Sequence, residues 1–199
     1  SRIKIHDNWA DMAGGQAIPI KADVSDVGQV KSMIDQAMAA VGPVDILVNN
    51  AGILLNGDVM TMNEEELDRM ISVNVKGVIN CVRAVVPSMQ NKGYGKIVNI
   101  SSLAGLGTAV GQTTPYALTK AAVISLTKRM AFEFGPHGLN VNAICPGLLW
   151  TPMWEAISRK RANFGALNLT GNHLSGRELF DKIVEETIPM KKEQSPEDI

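Results

Sequence analysis

Residues 95–147, GKIVNISSLAGLGTAVGQTTPYALTKAAVISLTKRMAFEFGPHGLNVNAICPG, decide the fold of this 199-residue chain. Within them, 96–100 (KIVNI) and 139–145 (LNVNAIC) read as short, buried strands. The stretch from about Pro115 to Phe134 is long enough for a helix, with proline in its first turn and Gly135-Pro136 to stop it. Strand, crossover helix and strand make a parallel unit, because parallel neighbours need a connection of that length.

The same alternation continues towards the N-terminus. Residues 17–22 (AIPIKA) read as a strand ending at Asp23, and Ser25 is placed to cap a helix whose Val27, Val30, Met33, Ile34, Ala37, Met38 and Val41 recur at helical spacing. Gly42-Pro43 ends that helix, and DILVNN (45–50) is a further strand. Asn63 with Glu66 three residues on announces the next helix, which buries Leu67, Met70, Ile71, Val78, Cys81, Val82 and Val85. Apolar strands separated by helices predict one α/β domain over residues 1–199: a doubly wound, Rossmann-like parallel sheet in three layers. Ligands of such sheets bind beyond the carboxyl ends of the strands. Asp23, Asn49 to Gly52, Ser101-Ser102 and Pro146-Gly147 all occupy strand exits.

Bulk composition narrows the partners. A net charge of -1 offers no basic face for nucleic acid. Cys81 and Cys145 fall in a helix and a strand pattern, which speaks against a disulfide framework and for a reducing compartment. His6, His137 and His173 lack ligand spacing, so no metal is expected. No apolar run approaches the roughly 20 residues of a membrane span and no signal peptide opens the chain, which reads as cytoplasmic, with a small-molecule partner.

Tyr116 and Lys120 lie four apart, one turn along a single helix face. An ammonium beside a phenol favours the phenolate and brings its pKa towards a working range. Alone, such a pair is most often a solvated helix pair. Ser102 follows a strand, where its hydroxyl can donate to a substrate carbonyl, although serine pairs there usually serve turns. Asn74 sits within the apolar stripe 67, 70, 71, 74, 78. A buried amide needs partners, as a site residue or as a satisfied core asparagine.

In chain order, ADVSD, DILVNNAG, ISVNVKG, GKIVNISS, PYALTK, VNAICPG with Thr151 four residues after Gly147, and IPMKKEQSPEDI resemble the short-chain dehydrogenase/reductase family. The resemblance implies that Tyr116 is the general acid/base, that Lys120 lowers its pKa and holds the nicotinamide ribose, that Ser102 polarises the substrate oxygen, and that Asn74 anchors a proton-relay water chain. It assigns Asp23 and Val24 to the adenine, Asn50, Ala51 and Gly52 to the cofactor side of the cleft, and Pro146, Gly147 and Thr151 to the nicotinamide of NAD or NADP. A homo-oligomer, dimer or tetramer, is implied as well.

Several features depart from the family pattern. No Gly-x-x-x-Gly-x-Gly precedes Asp23, so the phosphate-binding turn is not expected in this chain, and the sequence stops at SPEDI, short of a further helix and strand. Both ends therefore read as truncated. SRIKIHDN could be the second strand, with Asp7 accepting ribose hydroxyls, but only 15 residues separate Asp7 from Asp23. Ser102 precedes Tyr116 by 14 positions, which implies a one-residue insertion in GLGTAVGQTTP. Residues 151–188, with helix-like TPMWEAISRKRA and GRELFDKIVEE, read as an enlarged substrate lid whose Met153, Trp154 and Phe164 line an apolar pocket or pack on the sheet.

The expected chemistry is interconversion of a secondary alcohol and a ketone, with polyols, sugars or acetoin-type ketones as candidate substrates. Two alternatives remain at this point. One is a 3-oxoacyl thioester reductase, for which Arg159, Lys160 and Arg161 are the available basic entrance; the other is a non-catalytic Rossmann-like regulatory or oligomerisation module.

Overall fold

The computed structural model of the chain describes residues 17–107, 113–163 and 174–199, the side chains of 159–163 excepted. The expectations resting on Asp7, His6, Phe164, His173, on the side chains of Arg159, Lys160 and Arg161, and on residues 108–112 of the suggested insertion lie outside these residues.

Three parallel strands, β1 (Ile46–Asn49), β2 (Gly95–Ile100) and β3 (Leu139–Ile144), lie side by side in chain order. Asn49 stands opposite Asn99, and Ile100 opposite Ile144, so the strand ends are aligned and their exit loops converge on one edge. Helix α1 (Val27–Val41) precedes β1, α2 (Glu64–Ile71) and α3 (Gly77–Lys92) connect β1 to β2, and α4 (Thr114–Phe134) connects β2 to β3. The doubly wound α/β reading of 95–147 holds to within a residue at each strand and helix start.

One face of the sheet carries the core. Ile34 of α1, Val82, Val85 and Met89 of α3, and Val123 and Met130 of α4 close on Ile97, Leu139 and Val141. Residues on the opposite face, Ile46, Val48, Lys96 and Asn140, are exposed among the described residues. The described chain thus shows the sheet with one of its helical layers. Lys96 of KIVNI and Asn140 and Asn142 of LNVNAI fall on the exposed face and Asn99 on the buried one, as the two-residue period of a strand requires.

Two local expectations are corrected. Residues 17–22 form no strand, because no neighbouring strand among the described residues supplies the ladder partner that strand hydrogen bonds require. Asp26, rather than Ser25, caps α1: its carboxylate accepts from the Gln29 N–H at 3.0 Å, while the Ser25 hydroxyl turns back to donate to Asp23 Oδ1 at 2.6 Å. Asn63 does cap α2, accepting from Glu66 N at 3.1 Å.

The helical run Glu64–Lys92 is long and apolar enough to pass the length and composition test for a membrane span, contrary to the reading of the sequence. Half of its most apolar window is buried inside the fold, as a core helix requires. Of the residues predicted to be buried there, Met70, Val78, Cys81, Val82 and Val85 are, whereas Leu67 and Ile71 are half-buried.

The described residues beyond 150 form a separate packing group. Helices α5 (Pro152–Asn163) and α6 (Gly176–Thr187) meet over a cluster of Leu148, Leu179, Phe180, Ile183 and Val184. Phe180 is wholly buried and receives Trp150 and Trp154 edge-on, with ring centroids 5.1 and 5.4 Å away. Beyond α6 the chain turns back, and Gln194 N donates to Leu148 O at 2.9 Å while its side chain accepts from Gly147 N. This returning strap brings Pro196 and Ile199 to the edge where the strands end.

Candidate active site

A cleft of about 920 Å³ opens at the carboxyl ends of the three strands. Asn50 and Gly52 line it from the exit of β1, Ser102 from the exit of β2, Tyr116 and Lys120 from the first turns of α4, and Pro146, Gly147 and Thr151 from the exit of β3. Met153 and Trp154 reach it from α5, and Trp154 also packs on Phe180 of α6. Asp23, Val24 and Ala51 are not among the lining residues. Asp23 is exposed and tied to Ser25, while the Val24 carbonyl accepts from Asn80 Nδ2 at 2.9 Å and its side chain packs against Gly77. Those two residues brace the start of α1 against α3.

Two adjacent serines have different partners. Ser101 is buried and its hydroxyl donates to the backbone carbonyl of Lys120 at 2.8 Å. Ser102 is half-buried, accepts from Ala104 N at 3.2 Å and lines the cleft together with Tyr116. Both serines line the cleft, and it is Ser101 whose hydroxyl is committed to the backbone.

Lys120 is 4% exposed, and its Nζ donates to Ile100 O at 2.8 Å and lies 5.6 Å from the centroid of the Tyr116 ring. Burial brings its pKa down to about 8, with the nearby Cys145 thiol acting in the opposite direction. For Tyr116 burial dominates as well and pushes the phenol above its ordinary value, opposed by the hydrogen bond from Ser102. The net direction differs from the lowering expected beside a lysine. Removing water from a phenolate costs more here than the hydrogen bond returns.

Asn74 is 1% exposed and satisfied on three sides. Its Oδ1 accepts from Ile53 N at 2.8 Å, and its Nδ2 donates to Ile53 O at 2.9 Å and to Thr119 Oγ1 at 3.0 Å. The Thr119 hydroxyl in turn donates to Tyr116 O at 2.8 Å. Asn74 therefore ties the exit loop of β1 to the turn of α4 that carries Tyr116. Both amide hydrogens are used on protein, which leaves one lone pair of the carboxamide oxygen for the water chain that the resemblance implies. Around Asn74 the helix widens to a π turn, Ser72–Lys76, an irregularity common at functional positions.

Sequence reasoning placed Asn49 at a strand exit but did not single out Asn99, Thr119 or Thr127, with which it groups. All four are buried, and Asn49 Nδ2 donates to Asn99 Oδ1 at 2.8 Å while Asn99 Nδ2 donates to Thr127 Oγ1 at 2.9 Å, a polar line across β1, β2 and α4 just behind the cleft. The signal available was an asparagine closing each of two adjacent strand patterns. Among the described residues no group of His, Cys, Asp and Glu side chains is placed to hold a metal ion.

A dinucleotide's nicotinamide end suits these residues on two observations. A Cβ at Gly52 would come within 3.4 Å of Lys120 Nζ, so the absence of a side chain there keeps the ammonium accessible from the cleft. A Cβ at Gly147 would meet Gln194 Oε1, the end of a flexible side chain, at 2.7 Å, so a larger residue there would displace that amide from the exit of β3.

Comparison with known proteins bears on this architecture. The sequence profile of the short chain dehydrogenase family matches residues 3–162, and the chain belongs to that family. Oxidoreductase UcpA of Salmonella typhimurium is 44% identical over 157 residues, covering 77% of this chain and 60% of the relative. The 3-oxoacyl-[acyl-carrier-protein] reductase FabG of Staphylococcus aureus is 41% identical over 145 residues, covering 73% and 58%. A crystal structure of a gluconate 5-dehydrogenase from Burkholderia cenocepacia, in complex with NADP and tartrate, superposes with a TM-score of 0.70 at 36% identity, covering 75% of this chain and 58% of that one. The chain thus spans about three fifths of the length of the curated relatives it matches.

Proposed function

We propose that this chain carries the catalytic half of a nicotinamide-dependent oxidoreductase that interconverts a small secondary alcohol and its ketone. The observation that supports this reading above all is the convergence of Ser102, Tyr116 and Lys120 in one cleft, with the Lys120 ammonium 5.6 Å from the centroid of the Tyr116 ring. When bound, NAD or NADP supplies or accepts the hydride. Asn50, Gly52, Pro146, Gly147 and Thr151 are the residues that would hold its nicotinamide end, with Lys120 on the ribose. Asp23 and Val24 remain proposed for the adenine side from outside the cleft.

Tyr116 is protonated at neutral pH, the state that gives a proton to the oxygen of a ketone being reduced. Ser102 donates to the same oxygen and stabilises its developing charge. In oxidation the phenolate must form first, so the reverse reaction rises with pH. Lys120 supplies a cation next to the phenol and, with a pKa of about 8, exchanges protons near neutrality. Asn74 holds the two sides of the cleft in register and leaves one acceptor for the relay water. Polyols, sugars and acetoin-type ketones are the proposed substrates. We further propose one domain with residues 151–188 as its substrate lid, a homo-oligomer, and a cytoplasmic location.

Consumption of NADH or NADPH with a panel of small ketones tests the reading. Ser102→Ala should lower kcat/KM by about 100-fold, the scale of one lost oxyanion donor. Ser101→Ala should act on stability and leave turnover within a few-fold. Equal effects of the two substitutions would remove Ser102 from the chemistry.

A further inference from the structure

The parallel pairing of β2 with β3 runs on past the strand ends. Ser101 N donates to Ile144 O at 2.7 Å, and two residues further Leu103 N donates to Pro146 O at 3.0 Å, so Ser102 lies between two rungs. Ser102 also caps the short 3-10 turn Leu103–Leu106, accepting from Ala104 N. The other edge of the β3 exit belongs to the strap. Gly147 N donates to Gln194 Oε1, and Gln194 N donates to Leu148 O at 2.9 Å, which sets Gln194 beside Leu149 as a further parallel neighbour. The Pro146 carbonyl and the Gly147 N–H are the two polar groups of a single peptide. One is held by the residue after Ser102 and the other by Gln194. Because a peptide is planar, turning one of these groups turns the other. The strap that carries Gln194 is anchored on α6 by Arg177 and Glu193 at 2.6 Å, and its Pro196 and Ile199 line the cleft.

We propose that Gln194 is a positioning residue of the site. From the strap it fixes the plane of the Pro146–Gly147 peptide, and that plane fixes the rung to Leu103 that orients Ser102. Docking of the strap and alignment of the Ser102 hydroxyl are thereby coupled. Gln194 is not among the cleft-lining residues, so its effect on the chemistry passes through the peptide. This rests on the oxidoreductase reading of the cleft and adds to it a residue that holds the site from behind.

The test compares two variants of the full chain: Gln194→Met, which keeps the side-chain length and removes the acceptor, and Gln194→Glu, which keeps an acceptor oxygen. Amide hydrogen exchange followed by NMR reads the tie without cofactor. In Gln194→Met the Gly147 and Leu103 amides should both exchange about tenfold faster, the scale of one lost hydrogen bond, while the Ser101 amide stays protected. With the ketone panel, kcat should fall about tenfold and KM should hold, because the Ser102 hydroxyl is needed most in the transition state. Gln194→Glu should restore slow exchange and most of kcat. Faster exchange at Gly147 with Leu103 unmoved would overturn the proposal, since the peptide would then transmit nothing. Exchange raised evenly through Ser101 would overturn it too, by assigning Gln194 to general packing. Unchanged kcat in Gln194→Met, against a wild type that turns over, would overturn it and leave the oxidoreductase reading intact. A wild type inactive on the whole panel would instead refute that reading, and the positioning role with it.

Discussion

The two sides of the cleft are held in place by different physics. On the sheet side, Asn74, Thr119, Ser101 and Lys120 are buried and joined through backbone groups of Ile53, Tyr116, Ile100 and one another, with donor–acceptor distances of 2.8 to 3.0 Å. On the lid side, Phe180 and two tryptophans form an apolar plug, and the strap is tied to α6 by exposed groups, Arg177 with Glu193 at 2.6 Å. Buried polar bonds fix direction to within a narrow angle, because a misaligned partner leaves an unsatisfied group in a dry interior. Apolar packing fixes volume but tolerates other shapes of similar size. On the proposed function, chemistry falls on the side that specifies direction and recognition on the side that can be reshaped.

Breaking the lid side should give the largest loss of stability. Phe180→Ala removes the wholly buried ring on which Trp150 and Trp154 meet and should cost about 3–5 kcal/mol, measured by urea denaturation. Trp154 fluorescence should report loosening of α5 and α6 at lower denaturant than the sheet. Coincident transitions for the two regions would mean that the lid is not a separable packing group.

The buried cation of the sheet side leaves a signature in pH. Lys120 has a folded pKa of about 8, below the 10.5 of a free lysine, so the folded state binds fewer protons than the unfolded state between those values. Stability should therefore rise as pH increases from about 8 towards 10, by up to about 3 kcal/mol from this residue. Tyr116, whose phenol is pushed above 10, opposes further gain above that pH. Lys120→Met should flatten the rise between pH 8 and 10; an unchanged slope would show that the ammonium is not desolvated as described.

Cutting the polar tie is the smaller perturbation. Asn74→Ala leaves the Ile53 N–H and C=O unpaired and should cost about 2 kcal/mol by denaturation. Amide hydrogen exchange should quicken at Ile53 while the β2–β3 ladder stays protected. Exchange that quickens evenly through the sheet would indicate a general loss of packing rather than loss of the tie.

How much of this was legible in the sequence follows the same division. The α/β alternation of 95–147 was readable because continuous apolar runs and helix stops are local signals. Tyr116 and Lys120 were readable for the same reason, since four residues of helix set their common face. Ser102 could not be separated from Ser101 by spacing, because the difference lies in a long-range bond from Ser101 to Lys120 O. The Asn49–Asn99–Thr127 line was invisible for that reason too, as it joins residues far apart in sequence. Residues 17–22 show the converse: a strand-like sequence forms no strand where no partner lies beside it among the described residues.

The central claim is that Tyr116 gives and takes the proton in an oxidoreductase site, and replacing its phenol tests this most directly. In Tyr116→Phe the ring still packs and only the hydroxyl is lost. Ketone-dependent NADH or NADPH consumption should fall by about 10³-fold in kcat with little change in KM, within the range expected for a lost general acid. Turnover within a few-fold of wild type would contradict the account.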